Sequence, residues 1–285
     1  MSGKWLRSLM LLLLCGGVAI LARGQSVMSV RRPDGRQARL AVYTPASGGA
    51  CAPLAVLSPG SGDDRGGLTY LAAAVQRHGW RAVMLLHRER DPESLRDRLR
   101  NGRFRHDLFS SSTAPGDYRD RLEDLSAALS WAHARCRAPV AVLIGHAMGA
   151  VTAMLEAGAG NRLGLEGRDR FDAYVALSPE GRGPIFPADA WRNLSKPLLL
   201  LTGTLDDAPN GSWRVRAQPF ADLPAGCHWL GVIDRATHMN LAGFGYGNGA
   251  IEKIIVPTVD AFLDDVRAHR CAALPNQPGL HLSRQ

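Results

Sequence analysis

Residues 139–149 have the sequence PVAVLIGHAMG, and this stretch decides the fold. Residues 140–144 form an unbroken aliphatic run, which is typical of a parallel strand buried on both faces. Gly145 and Gly149 then bracket three residues before an alanine-rich segment, so the chain can reverse sharply there. The pattern predicts a buried strand, a tight turn and a helix, in that order.

The turn has the frame of a nucleophile elbow, G-x-S-x-G, in every position except its centre. In that motif the central residue is strained at the tip of the turn and presents its side chain above the sheet. Here the central residue is Ala147, and its methyl group cannot attack a carbonyl. The sequence therefore predicts the support for a serine nucleophile without the nucleophile.

Residues 1–24 have the features of a secretory signal peptide cleaved before Gln25. They contain a basic start, an apolar stretch at 9–22 and small residues near the predicted cleavage point. An uncleaved anchor is the alternative, and Leu14 disfavours a lipoprotein processed at Cys15. The apolar stretch is short for a bilayer span and no second one follows it, so we expect an exported protein, periplasmic or secreted, with no membrane span after cleavage.

Length and composition are those of one globular domain, which we assign to residues 25–274. The chain has 285 residues, of which 46% are hydrophobic, enough for a large core. Its formal charge of +8 becomes about +5 without the three basic residues of the predicted signal, which gives little ground for a nucleic-acid partner. Residues 275–285 show no apolar period and are predicted to form a loose tail.

Strand-like apolar runs alternate with amphipathic segments along the chain. This alternation predicts an α/β fold, a mostly parallel central sheet with helices on both faces and an active site at the carboxyl ends of the strands. Residues 88–105 are densely charged, a pattern that favours a solvated helix face over an anionic-ligand site. The segment 88–115 that contains them is predicted to be a small cap insertion. The predicted strands are 26–32, 39–44, 54–57, 81–87, 173–177, 198–201 and 228–233, and the predicted helices are 68–78, 117–135, 148–157 and 251–270.

Three residues follow the order nucleophile, acid, histidine that this architecture uses, each just after a predicted strand. They are Ala147 at the nucleophile position, Asp206 as the acid and His238 as the base. Asp207 is the alternative acid. A turn-forming role for Asp206 and a packed loop position for His238 are the structural alternatives to catalytic roles.

Backbone amides would supply the oxyanion hole of such a site. The amide of Met148, directly after the elbow residue, and the amide of Ser61, after the strand at 54–57, are the predicted donors. The sequence shows no metal-ligand spacing, P-loop or dinucleotide fingerprint, so we expect no metal and no cofactor.

With these residues the chain resembles the α/β-hydrolase superfamily and, within it, exported bacterial esterases of the predicted dienelactone-hydrolase-like group. The resemblance is carried, in order, by residues 57–62, 145–149, 176–179, 201–206 and 236–240. Pro59 stands where many members have histidine, and Ala147 stands where the family has serine. The resemblance implies carboxylic-ester hydrolysis, and its strand order implies the disulfides Cys51–Cys136 and Cys227–Cys271.

Two functions of different classes follow, and a third is a variant of the first. One is a serine carboxylic-ester hydrolase acting on a small ester or lipid-like substrate, inactive or very weak in this form because of Ala147, whether that residue is natural or engineered. The second is a non-catalytic exported pseudoenzyme that binds an ester, a lipid or a protein partner. The third is weak hydrolysis by a water molecule activated by His238. The oligomeric state stays open.

Overall fold

The computed structural model describes residues 25–46, 51–61, 67–87 and 113–285. The expected signal peptide, 1–24, and residues 88–112 of the expected cap lie outside the described residues. Within the described ranges, nine strands form one sheet in the order β1-β2-β4-β3-β5-β6-β7-β8-β9. Their bounds are β1 Gln25–Arg31, β2 Gln37–Tyr43, β3 Leu54–Ser58, β4 Arg81–Leu86, β5 Ala141–His146, β6 Ala173–Leu177, β7 Leu198–Leu205, β8 His228–Thr237 and β9 Leu280–Arg284.

Six central strands, from β4 to β8 in sheet order, pair in parallel. The hairpin β1–β2 covers one edge of the sheet in antiparallel pairing, and β9 covers the other. The strand of the quoted stretch, β5, lies inside the sheet between β3 and β6, and all its residues are buried. Its aliphatic run is explained by this position, because both faces of a parallel sheet are covered.

Helices pack on both faces of the sheet. Residues such as Leu125 and Leu129 of α2 (Pro115–His133) join one core, and residues such as Val259 and Phe262 of α6 (Asn248–Arg267) join the core on the opposite face. The prediction of a mostly parallel α/β fold is therefore confirmed. The helices are α1 Thr69–Arg77, α2 Pro115–His133, α3 Met148–Glu156, α4 Arg214–Ala221, α5 His238–Ala242 and α6 Asn248–Arg267. None of the helices within the described ranges has the length and apolar character needed to cross a bilayer.

The chain after residue 274 differs from the loose tail that the sequence predicts. β9 pairs with β8 in antiparallel register, from Trp229 opposite Arg284 to Ile233 opposite Leu280. Leu280 is buried in the core, and a Cβ added to Gly231 would lie 3.1 Å from Leu280 Cδ1, so the bare glycine leaves room for the leucine. Burial of apolar side chains and pairing of the β8 edge order this segment.

Two disulfides join the rim of the sheet to neighbouring elements. Cys51 pairs with Cys136 across a Cα–Cα distance of 5.3 Å, and Cys227 pairs with Cys271 across 5.7 Å. These are the pairs that the family resemblance implies. The first ties the segment before β3 to the end of α2, and the second ties the start of β8 to the chain after α6.

Candidate active site at the carboxyl ends of the strands

The turn between β5 and α3 has the backbone of a strained elbow. Ala147 has φ 50° and ψ −116°, a region that residues with a Cβ rarely adopt, and its amide donates to the Leu177 carbonyl at 3.0 Å. Both flanking glycines are required by close packing. A Cβ on Gly145 would lie 2.0 Å from the Gly149 oxygen, and one on Gly149 would lie 1.7 Å from the Ser58 oxygen.

His238 is the first residue of α5, directly after β8, and a capping box fixes its place. The Thr237 hydroxyl accepts from the Asn240 amide, while the Asn240 side chain accepts from the Thr237 amide. From this position His238 Nδ1 lies 3.1 Å from Asp206 Oδ1. Asp206 follows β7, the neighbour of β8, so residues 32 positions apart meet because their strands end at the same edge.

Ser178 completes the contacts on this side of the imidazole. Its hydroxyl donates to the Asp206 carboxylate, 2.7 Å from Oδ2, and its oxygen lies 2.7 Å from His238 Nδ1. A hydroxyl that has given its proton to a carboxylate must accept from the ring, so Nδ1 carries the proton. The unprotonated nitrogen is then Nε2, on a side chain that is 30% exposed. This is the tautomer that a general base requires.

The Asp206 carboxylate is buried and held on every side by donors. Thr202 Oγ1 donates to Oδ2 at 2.9 Å, and Arg216 Nε lies 2.9 Å from Oδ1. Arg216 also donates to the Ser178 carbonyl at 3.3 Å. The acid therefore has a permanent positive charge beside it in addition to the histidine.

Burial lowers the pKa of His238 below its ordinary value of 6.5. The hydrogen bond to Asp206 raises this pKa, while the proximity of His146 and the positive charge of Arg216 lower it. The neutral imidazole is thus the form present at neutral pH. The site holds a base that is free to accept a proton.

His146, inside the elbow, packs against the histidine loop. Its ring centroid lies 4.7 Å from that of His238, and its Nε2 donates to the His238 carbonyl at 3.1 Å. The side chain is buried, in agreement with the expectation that it packs beside the turn. His146 links the elbow to the loop that carries the base.

The structure brings Asp206, and not Asp207, to the histidine. Asp207 Oδ1 accepts from the Trp213 amide at 3.1 Å, at the start of the segment that forms α4. Of the predicted oxyanion donors, Met148 provides the first amide of α3, which has no partner within its helix. Ser61 lies in the loop that follows β3.

Three residues of the site, Ser178, Thr202 and Arg216, were not found by sequence reasoning. Ser178 directly follows β6, which lies between the elbow strand β5 and the acid strand β7, so the sheet order alone could have indicated it. It has φ 54°, as unusual for serine as the elbow angle is for alanine. Arg216 comes from α4, a helix that the sequence pattern does not predict.

Among the described residues there is no group of three or more histidine, cysteine, aspartate or glutamate side chains placed to hold an ion. The acid and the histidine are instead bound to each other and to Ser178.

Comparisons with known proteins give matches among solved structures only. No family model and no curated protein matches the chain. The esterase domain of a Rhodothermus marinus protein is 16% identical with a TM-score of 0.56, over 85% of this chain and 98% of that one. Thermogutta terrifontis esterase 2 is 15% identical with a TM-score of 0.59, over 86% and 95%.

A third structure, an alpha-beta serine hydrolase homologue from Coxiella burnetii, is 15% identical with a TM-score of 0.52, over 81% of this chain and 95% of that one. Similarity at this level of identity concerns the fold. The chain has the α/β-hydrolase fold, which it shares with esterases and serine hydrolases.

Proposed function

We propose that this protein is an exported member of the serine carboxylic-ester hydrolase class, related to the dienelactone-hydrolase-like esterases, whose nucleophile position is occupied by Ala147. The expected consequence is that this form binds a small ester or lipid-like carbonyl compound and hydrolyses it very weakly or not at all. Export rests on the signal-like residues 1–24, with two disulfides as a consistent feature.

One observation carries the proposal: the Asp206–His238 pair has the tautomer of a working general base although the elbow residue has no hydroxyl. The Nδ1 proton is held by Ser178 and Asp206, which leaves the Nε2 lone pair available. A strained φ at residue 147 supports the same assignment, because such strain is commonly kept at functional turns.

A serine at position 147 would complete the chemistry. Its hydroxyl oxygen would attack the ester carbonyl while His238 Nε2 takes the proton, and the amides of Met148 and Ser61 would bind the oxyanion. The alcohol would leave with that proton, and water would then release the acid from the acyl-serine. In the chain as it stands, the same amides and the neutral imidazole favour binding of a carbonyl group.

The test compares the protein with its Ala147→Ser variant on short p-nitrophenyl esters and with a fluorophosphonate probe. We expect hydrolysis and labelling at residue 147 in the serine variant, and loss of both when His238→Ala is added. Ala150→Ser is the matched control, because it adds the same hydroxyl to the first turn of α3 but away from the elbow.

The remaining outcomes separate the other functions. Absence of hydrolysis and labelling in a folded Ala147→Ser protein would contradict the hydrolase proposal and favour a binding role. Turnover by the unaltered chain that disappears in His238→Ala would instead indicate water activated by the imidazole.

A further inference from the structure

A second serine–histidine–aspartate chain lies beside the candidate active site, on the face of the sheet that α2 covers. Ser58, the last residue of β3, has its Oγ 3.0 Å from Nε2 of His87, and Nδ1 of His87 lies 2.8 Å from Asp124 Oδ2. These are the connections of a catalytic triad, a serine on one ring nitrogen and a carboxylate on the other.

Arg32 donates to Asp124 Oδ1 at 3.1 Å and favours the carboxylate form, although burial raises the pKa of Asp124 to about 7. In the carboxylate form, Asp124 Oδ2 accepts from His87 Nδ1, and His87 Nε2 accepts from the Ser58 hydroxyl. Arg121 Nη1 lies 3.4 Å from Ser58 Oγ and donates to the Pro59 carbonyl at 2.8 Å. In this arrangement each group donates to the next, from Arg121 to Ser58, then to His87, and finally to Asp124.

The burial of Ser58 and His87 indicates the role of this hydrogen-bonded series. Ser58 is 0% exposed and His87 is 1% exposed, whereas a nucleophile has to reach a substrate carbonyl. The Ser58 carbonyl packs against α3 at Gly149, where the absence of a side chain leaves room for it. Ser58 pairs with Gly145 in the sheet, so the same residue contacts the elbow on two sides.

We infer that Ser58, His87 and Asp124 are positioning residues, which hold the loop after β3 against the elbow so that the Ser61 amide faces the carbonyl oxygen. Ser58 is joined to Ser61 through Pro59 and Gly60 alone, and His87 and Asp124 act on the loop through Ser58. The inference rests on the proposed function, because it assigns the loop the task of binding an oxyanion.

A displaced oxyanion donor changes kcat more than KM, since the donor acts on charge that develops in the transition state. In the Ala147→Ser background we therefore expect Ser58→Ala to lower kcat about tenfold, less than the ~10²–10³ typical of losing a whole donor, with KM changed by less than about threefold. Ser58→Thr, which keeps the hydroxyl, should recover most of the loss.

Ser126→Ala is the matched control. Ser126 lies on α2 close to Asp124, and its hydroxyl donates to the Leu122 carbonyl, outside the chain of hydrogen bonds described here. Asp124→Asn is the second variant in case Ser58→Ala does not fold. It keeps the shape of the side chain and disturbs the His87 tautomer, and we expect the same kcat-selective loss.

A second measurement keeps this inference separate from the proposed function. Hydrogen exchange of the peptide containing residues 58–61 is compared in the unaltered protein, Ser58→Ala and Ser126→Ala. Faster exchange in Ser58→Ala alone supports the positioning role, even if Ala147→Ser proves inactive and the proposed function fails. Equal exchange in all three, equal kinetic loss in Ser58→Ala and Ser126→Ala, or fluorophosphonate labelling of Ser58 itself would overturn it.

Discussion

Arg216 and Asp206 form an ion pair in which both side chains are buried, with Nε 2.9 Å from Oδ1. The same oxygen faces Nδ1 of His238 at 3.1 Å. A carboxylate beside a histidine favours the imidazolium, and a guanidinium on that carboxylate opposes this effect. Arg216 therefore balances the negative charge of Asp206 while His238 is still unprotonated. This favours the neutral imidazole.

Replacing Arg216 should raise the pKa of His238. Arg216→Met removes the positive charge and leaves Asp206 to act on the imidazole alone. The measurement is an NMR titration of the imidazole between pH 4 and 9, at a temperature chosen for a fold weakened by about 3–5 kcal/mol through loss of one buried partner. Arg182→Met, which breaks an ion pair with Asp222 at the surface, should leave the titration unchanged. An unchanged or lower pKa in Arg216→Met would contradict the assignment.

His228 should make the protein sensitive to acid. The side chain is fully buried, neither ring nitrogen has a hydrogen-bond partner in the described structure, and burial lowers its pKa below 6.5. Below that pH the unfolded chain binds more protons at this residue than the folded one, so acid lowers the free energy of unfolding.

His228→Leu should therefore raise the free energy of unfolding, by about 1–2 kcal/mol at neutral pH from relief of an unsatisfied buried group, and by more at pH 5. Urea unfolding at pH 5, 6.5 and 8 measures the difference. The control is His133→Leu at an exposed position of α2, for which no such trend is expected. A gain that shrinks toward pH 5 would refute the prediction.

Gly149 should not tolerate a methyl group. In Gly149→Ala the new Cβ would lie 1.7 Å from the Ser58 carbonyl oxygen, so α3 and the end of β3 have to separate. We expect a loss of at least about 1–3 kcal/mol in the free energy of unfolding, by analogy with overpacked cores. Gly249→Ala, with no atom within 4 Å of its Cβ, should be neutral or stabilising. Equal stability of the two variants in thermal unfolding would contradict this account.

The elbow angle should cost stability in the unaltered protein. Ala147→Gly removes the strain at φ 50°, worth about 1–3 kcal/mol, against a backbone entropy cost of about 0.5–1 kcal/mol. We expect a net gain in the free energy of unfolding in urea. Ala150→Gly, in the helical turn that follows, should lose about 1 kcal/mol. A loss of similar size in both variants would show that residue 147 is not strained.

Sequence reasoning located the parts of this molecule that depend on local pattern. The aliphatic run before Gly145 predicted β5, and the order along the chain indicated Asp206 and His238, each just after a predicted strand. That these two strands are neighbours is seen only in the structure. Only the structure distinguishes Asp206 from Asp207, because the turn directs the Asp206 side chain to His238 and the Asp207 side chain to the Trp213 amide.

Contacts between elements that are far apart in the sequence could not be predicted from the sequence pattern. Ser58 ends β3, His87 directly follows β4 and Asp124 lies on α2, and each looks like an ordinary strand end or helix position in the sequence. β9 was missed because its alternation of Leu280 and Leu282 with polar residues is short. Its partner, the edge of β8, is visible only once the sheet is assembled.

The last strand also affects how the protein can be handled in the laboratory. Cutting the chain after residue 274 would remove β9, so the backbone groups on that side of β8 would lose their partners. The exposed sheet edge would lie next to a hydrophobic core and would be prone to self-association. An affinity tag joined behind Gln285 would emerge directly from this strand, so a flexible spacer at that junction would be preferable.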